Sequence, residues 1–242
     1  MKILYLAWRD PKSRGWFPVG RLSFDGKVYQ FVYTKGAKQA PNFIPFTRME
    51  DLTTIYESDE LFPVFANRLL SKKRPEYQAF LHWLNTRPGE DDPLTLLAYG
   101  SGIRETDLLA LFPCPEQGTD NKYRVQFFSH GLRYLLPEAI PRIHILSSGE
   151  RLYLMPDPQN KHDSEAVALR TDEPVTLVGY CPRYLAGDFL LLLRDAGIGN
   201  TKVVVEKVNQ EAPIQLRLLC TLTADWPENF RPCFGELYEA LA

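Results

Sequence analysis

The chain has 242 residues, with 28 basic against 30 acidic side chains and a formal net charge of −2. Residues 1–120 carry 15 basic and 15 acidic groups and residues 121–242 carry 13 and 15. This balance counts against an extended grip on duplex nucleic acid, so any such contact must be local. An apolar fraction of 45% and a charged fraction of 24% are those of a soluble globular protein of one large or two ordinary domains. Cys114, Cys181, Cys220 and Cys233 stand far apart with no paired spacing, so reduced thiols are expected rather than a disulfide framework or a zinc site.

The N-terminal run Ile3 to Trp8 reads as a first strand and is too short for a secretory apolar region. Phe189 to Leu193 is likewise too short to span a bilayer. A cytoplasmic protein without membrane contact is the expectation. Val19 to Phe24 and Val28 to Tyr33 face each other across Asp25-Gly26, a strong hairpin signal, with Tyr29, Phe31 and Tyr33 on one face. Thr34 to Pro45 reads as a loop. From Ser58, a plausible N-cap, Leu61, Phe62, Phe65, Leu69 and Leu70 recur at helical spacing. A second helix is expected from Pro75 to Leu84. Thr86 to Pro93 reads as a breaker-rich link, and Thr106 caps a short predicted helix over Asp107 to Phe112.

A boundary is expected in Pro113 to Asp120. Beyond it the chain is strand-rich, with strands near Tyr123–Leu135, Arg151–Met155, Ala166–Arg170 and Leu177–Cys181. One helix follows, Pro182 to Ala196, punctuated by Gly197. Lys202–Val208 and Gln215–Leu222 are expected to close the sheet. Trp226 and Phe230 are expected to pack over its end.

Three stretches carry candidate chemistry. Arg133-Tyr134 follows Phe127-Phe128-Ser129-His130-Gly131-Leu132. Gln159-Asn160-Lys161-His162-Asp163 is a short polar loop that can present an amide, a ring and a carboxylate together. Gly179-Tyr180-Cys181-Pro182-Arg183 lies at a strand-to-helix junction, where free amides and the positive dipole end favour phosphate. Each has a plainer reading: Tyr134 as a core aromatic, Asn160 and Asp163 as turn caps, Arg183 as a surface charge. Lys72-Lys73-Arg74 reads more simply as a solvated linker, and His130 and His144 as lone histidines. No nucleophile with base and orienter stands out, so neither an enzyme nor a cofactor is expected.

In this order the stretches resemble the HIRAN domain, a small β-barrel module. The resemblance implies an OB-like barrel that binds single-stranded DNA, with preference for a free 3′ end. Tyr134 would stack on the terminal base and Arg133 would meet a phosphate. Asp163 would accept a hydrogen bond from the 3′-hydroxyl, with Asn160 beside it, and Arg183 would contact the DNA backbone. His162 stands where the family has tyrosine, and Tyr180 where some relatives have histidine; an imidazole stacks less area and titrates near neutrality. The first half is similar to the N-terminal subdomain of HipA-type kinases, in Val19-Gly20-Arg21-Leu22 and in Leu61-Phe62-Pro63-Val64-Phe65-Ala66-Asn67-Arg68-Leu69-Leu70. Ser71 departs from that pattern, and no kinase core follows.

The fold expected is therefore α+β. Residues 1–115 would form a small α+β domain with an antiparallel sheet and two or three helices. Residues 121–242 would form a six-stranded OB-like barrel with one helix. The partner expected is single-stranded DNA, and the alternative is a non-catalytic protein that docks on a HipA-like kinase, or on a DNA-repair factor.

Overall fold

The computed structural model describes residues 2–102, 108–161 and 163–242. Thr106, Asp107 and His162, each singled out in the sequence, lie outside the described residues. The chain divides into two compact units, residues 1–114 with 233–242, and residues 115–232. Within each, mixed strands and helices give an α+β architecture.

The first unit is built on a five-stranded antiparallel sheet. Its strands are β1 (Lys2–Arg9), β2 (Trp16–Phe24), β3 (Tyr29–Tyr33), β4 (Tyr56–Ser58) and β5 (Leu109–Pro113), in the order β4-β3-β2-β1-β5. The Asp25-Gly26 hairpin forms as its chemistry dictates. The Asp25 carboxylate accepts from the backbone N–H groups of Lys27 and Val28 at 2.8 and 2.9 Å, and Phe24 faces Tyr29 across the pair. Tyr29, Phe31 and Tyr33 are buried in one aromatic cluster with Phe62 and Phe65. Burying each large apolar side chain contributes about 1.5–3 kcal/mol.

Several local expectations give way to tertiary context in this unit. Residues 34–45, expected as loop, include the short helix α1 (Lys35–Gln39). The helix expected from Ser58 shrinks to α2 (Pro63–Ala66), because Ser58 itself ends β4. The second helix forms as α3 (Tyr77–Trp83). The breaker-rich link ends in Asp92, whose carboxylate caps α4 (Pro93–Gly100) by accepting from the Thr95 N–H at 3.2 Å. The most instructive correction is Leu109–Phe112, part of the helix expected over Asp107 to Phe112 and found in strand β5 beside β1. Leu109, Ala110, Leu111 and Phe112 are all buried, and a short apolar run without alternation does not distinguish a buried strand from a helix.

The C-terminal residues 233–242, expected with the second domain, belong to the first unit. The Lys35 N–H donates to the Glu239 carbonyl at 2.8 Å, and the Leu241 N–H donates to the Tyr33 carbonyl at 2.9 Å.

The second unit holds a six-stranded sheet of β6 (Lys122–Phe128), β7 (Arg151–Pro156), β8 (Val167–Arg170), β9 (Leu177–Tyr180), β10 (Thr201–Val208) and β11 (Leu218–Asp225). The order is β6-β11-β10-β7-β8-β9, every pairing is antiparallel, and the curled sheet fits an OB-like fold. Two helices accompany it: α5 (Ala139–His144), not foreseen, and α6 (Arg183–Asp195). Helix α6 buries Leu185, Ala186, Phe189 and Leu192. Phe189 meets Phe127 and Tyr123 at ring-centroid distances of 5.4 and 6.5 Å. At the end of the unit Trp226 and Phe230 pack on Tyr123 at 6.0 and 5.8 Å, as their sequence suggests.

The last two strands do not close the barrel; β11 lies inside the sheet, between β6 and β10. Closure comes where the chain leaves β6. His130 and Tyr180 form an isolated antiparallel bridge with reciprocal N–H to carbonyl bonds, both 2.9 Å. The Ser129 hydroxyl adds a bond to the Val178 carbonyl at 2.9 Å. This seam requires glycine at 179. Gly179 has φ +124°, and a Cβ there would lie 1.9 Å from the Ser129 Oγ and 2.8 Å from the His130 carbonyl oxygen. Both the dihedral and the contact exclude a side chain.

Candidate functional site

The seam, with the bonds around it, links the three candidate stretches. Immediately after His130, Gly131 adopts a left-handed φ of +76° and turns the chain into a 3₁₀ turn over Leu132–Tyr134. The sequence places Arg133-Tyr134 at the end of a strand, where only one of two successive side chains would face a groove. The turn removes that constraint. Arg133 and Tyr134 are both exposed, Tyr134 at 77%, while Leu132 between the turn and the seam is buried at 4%. The reading of Tyr134 as a barrel-core aromatic is therefore excluded.

The second stretch is the β7–β8 connection. It is pinned at its base by the Asp157 N–H donating to the Ala166 carbonyl at 2.8 Å, and by the Ala166 N–H donating to the Asp163 carbonyl at 3.1 Å. Within it Asn160 donates from Nδ2 to the Asp157 carboxylate at 3.0 Å. Asp163 uses one carboxylate oxygen to accept from the Glu165 N–H at 3.0 Å, and the other to meet Arg183 Nε at 2.8 Å. The third stretch is the β9–α6 junction. Tyr180 donates its hydroxyl to Asp157 at 3.3 Å, and Arg183, first residue of α6, also reaches Glu165 at 2.7 Å.

Asn160, Asp157 and Tyr180 are thus joined by hydrogen bonds, and Asp163, Glu165 and Arg183 by ion pairs. The turn bearing Arg133 and Tyr134 is tied in through the His130–Tyr180 bridge. Burial, reinforced by the adjacent Asp157 carboxylate, raises the Tyr180 phenol above its ordinary value. The Tyr180 hydroxyl is therefore a donor throughout the neutral range. Asp163 does cap its turn by accepting from a backbone amide, the plainer reading of it, but its outer oxygen is held by Arg183 as well, and Asn160 bonds the Asp157 carboxylate. Arg183 is no isolated surface charge; its guanidinium is shared between two carboxylates.

Opposed residues in an antiparallel ladder carry their side chains on the same face. Tyr180 opposes both His130 and Ala168, and Ala168 opposes Met155. His130, Tyr180, Ala168 and Met155 therefore form one row across four strands, spanning about 14 Å at the usual strand spacing. His130, a lone histidine by sequence, sits in this row with its ring 6.2 Å from that of Tyr184. Burial pushes its imidazole down to about 4, so it is neutral at physiological pH. The histidine and Asp157 are the members that the sequence reading missed. Only the seam, a contact between residues fifty positions apart, could reveal the first. Elsewhere, Lys72 of the basic triplet pairs with Asp91 at 2.5 Å, in keeping with a solvated linker.

A family model described as the HIRAN domain matches residues 122–226. Residues 122–226 form a HIRAN domain. All the residues of the three candidate stretches fall inside that span. Two solved structures are similar: a protein from Lactobacillus plantarum and the HIRAN domain of human HLTF. The first is 18% identical, with 43% of this chain and 96% of that one covered and a TM-score of 0.34. The second is 18% identical, with 45% and 84% covered and a TM-score of 0.31. No curated protein matches. The HIRAN match takes in no residue of the first unit, and no comparison supports the kinase-subdomain resemblance of residues 1–115. Among the described residues no group of histidine, cysteine and acidic side chains could hold a metal ion, and no helix is long and apolar enough to cross a membrane.

Proposed function

We propose that the HIRAN domain binds single-stranded DNA at a free 3′ end, on the rim formed by Arg133, Tyr134, Asn160, Asp163, Tyr180 and Arg183. What supports this reading is that an exposed tyrosine follows the His130–Tyr180 bridge directly, while hydrogen bonds and an ion pair link the other two stretches into a carboxylate cluster around Tyr180 and Arg183. An exposed aromatic can stack any base and contributes about 1–3 kcal/mol in doing so. The carboxylates supply end selectivity: a terminal hydroxyl donates to them, whereas a terminal phosphate is repelled. Arg183 serves this chemistry by holding Asp163 in place and moderating the local negative charge.

The test is fluorescence anisotropy of the full chain with labelled single-stranded oligonucleotides ending in 3′-hydroxyl or 3′-phosphate. The 3′-hydroxyl strand should bind more tightly by at least tenfold. Equal affinities would remove the end-recognition reading, and no binding to either at moderate salt would remove the nucleic-acid reading altogether.

A further inference from the structure

Next to the His130–Tyr180–Ala168–Met155 row, on the same face of the sheet, lies a second row that the HIRAN motifs do not name. Tyr153 of β7 opposes Arg170 of β8, one side-chain repeat along each strand from Met155 and Ala168. Arg151, a further repeat back along β7, shares that face by strand alternation. Both guanidinium groups stack on the same ring, with Arg151 Cζ 5.0 Å and Arg170 Cζ 4.7 Å from the Tyr153 centroid. We propose that Arg151 and Arg170, fixed by Tyr153, are a station for internal phosphates of the DNA strand whose 3′ end the rim holds. This inference rests on the nucleic-acid reading of the rim and names where the rest of that strand runs.

Three features support it. First, the pair is electrostatically unanswered. Among the described residues neither arginine forms an ion pair, in contrast to Arg183, Arg124, Arg142 and Arg194 of the same unit. The nearby carboxylate of Asp172 is met by the Tyr153 hydroxyl at 3.4 Å rather than by either guanidinium. Two like charges on one ring repel, and a phosphodiester between or across them removes that repulsion. Second, the pair is preorganised. A guanidinium lying over an aromatic face keeps its in-plane N–H edge for a planar or tetrahedral oxyanion. Arg170 spends one donor on the Thr171 carbonyl at 2.9 Å, which anchors the group and leaves its remaining donors. Third, the position is continuous with the rim. Arg170 is two residues from Ala168, which opposes Tyr180, so about 7 Å of strand rise separates the rows. Met155, 43% exposed between them, offers an apolar contact for an intervening base or sugar.

Affinities of the full chain would be measured for 3′-hydroxyl oligonucleotides of about four and about twelve nucleotides, both within the span of about 4–16 that an OB fold covers. The Arg151→Ala/Arg170→Ala double variant should bind the longer strand about tenfold more weakly and the shorter one unchanged. Its log affinity against log salt should become shallower by about 1.4 for the longer strand, from two phosphates at about 0.7 each. The Arg151→Lys/Arg170→Lys variant, with the charge kept and the stacking weakened, should retain the salt slope. Unchanged affinity for the longer strand, or equal losses for both lengths, would overturn the station while leaving the rim standing. Loss of the rim reading would show instead as wild-type protein that binds neither length. A thermal melt of each variant matching wild type separates these outcomes from misfolding.

Discussion

Arg183 at the start of α6 and the Arg151–Arg170 pair on β7 and β8 are treated in opposite ways by the protein. Arg183 is divided between Asp163 and Glu165 at 2.8 and 2.7 Å, whereas Arg151 and Arg170 lean on the ring of Tyr153 with no acidic partner among the described residues. A cation that already answers two carboxylates adds little net attraction for a polyanion, but it can hold a carboxylate in position. A cation that answers none is where a polyanion gains most. On the proposed reading, the residue that a sequence motif singles out is the positioning group, and the attraction for DNA comes from residues outside the motif.

The seam carries both regions, so breaking it should have the largest effect. Gly179→Ala forces a Cβ into the Ser129 hydroxyl and the His130 carbonyl at an unfavourable φ, and should destabilise the protein by about 3 kcal/mol or more in urea denaturation. Stability should next respond to acid through His130. Its folded-state value of about 4 lies below the unfolded value near 6.5, so the unfolded chain binds the proton first. The stabilisation is complete above pH 6.5 and is lost as pH falls towards 4, by on the order of 2 kcal/mol. A His130→Gln variant should flatten that part of the stability–pH profile, and a profile identical to wild type would remove His130 as the cause. Tyr134→Ala, at a position 77% exposed, should leave the melting temperature unchanged while weakening DNA binding by about 1–3 kcal/mol. That split between stability and affinity separates rim from seam. Smallest is Arg183→Gln. Loss of half-exposed ion pairs should alter stability by less than about 1 kcal/mol. In anisotropy the variant should lose discrimination between 3′-hydroxyl and 3′-phosphate more than it loses overall affinity.

Much of the second unit was legible in its residues. The strand expected near Tyr123–Leu135 forms over its first part as β6, and Pro182 and Gly197 bracketed α6, because such signals act over a few neighbouring residues. Tyr134 was readable as a candidate but not as exposed, since exposure depends on the left-handed Gly131 turning the chain off its strand. Leu109–Phe112 was misread for a related reason. A run buried on every side carries no periodicity, and only its pairing with β1 makes it a strand. His130 could not be placed from its neighbours, and Arg170 could not be matched to Tyr153 without the β7–β8 register.

By itself the chain determined many of its local elements and the chemistry available in three motifs. These follow from dihedral preferences, apolar spacing and side-chain type, which act within a few residues. Tertiary structure alone decided that the barrel closes through Ser129, His130 and Gly179, that residues 233–242 return to the first unit, and which arginines are answered by acids. Those outcomes depend on register and on long-range pairing, where a shift of one residue exchanges the faces of a strand and with them every neighbour a charge will meet.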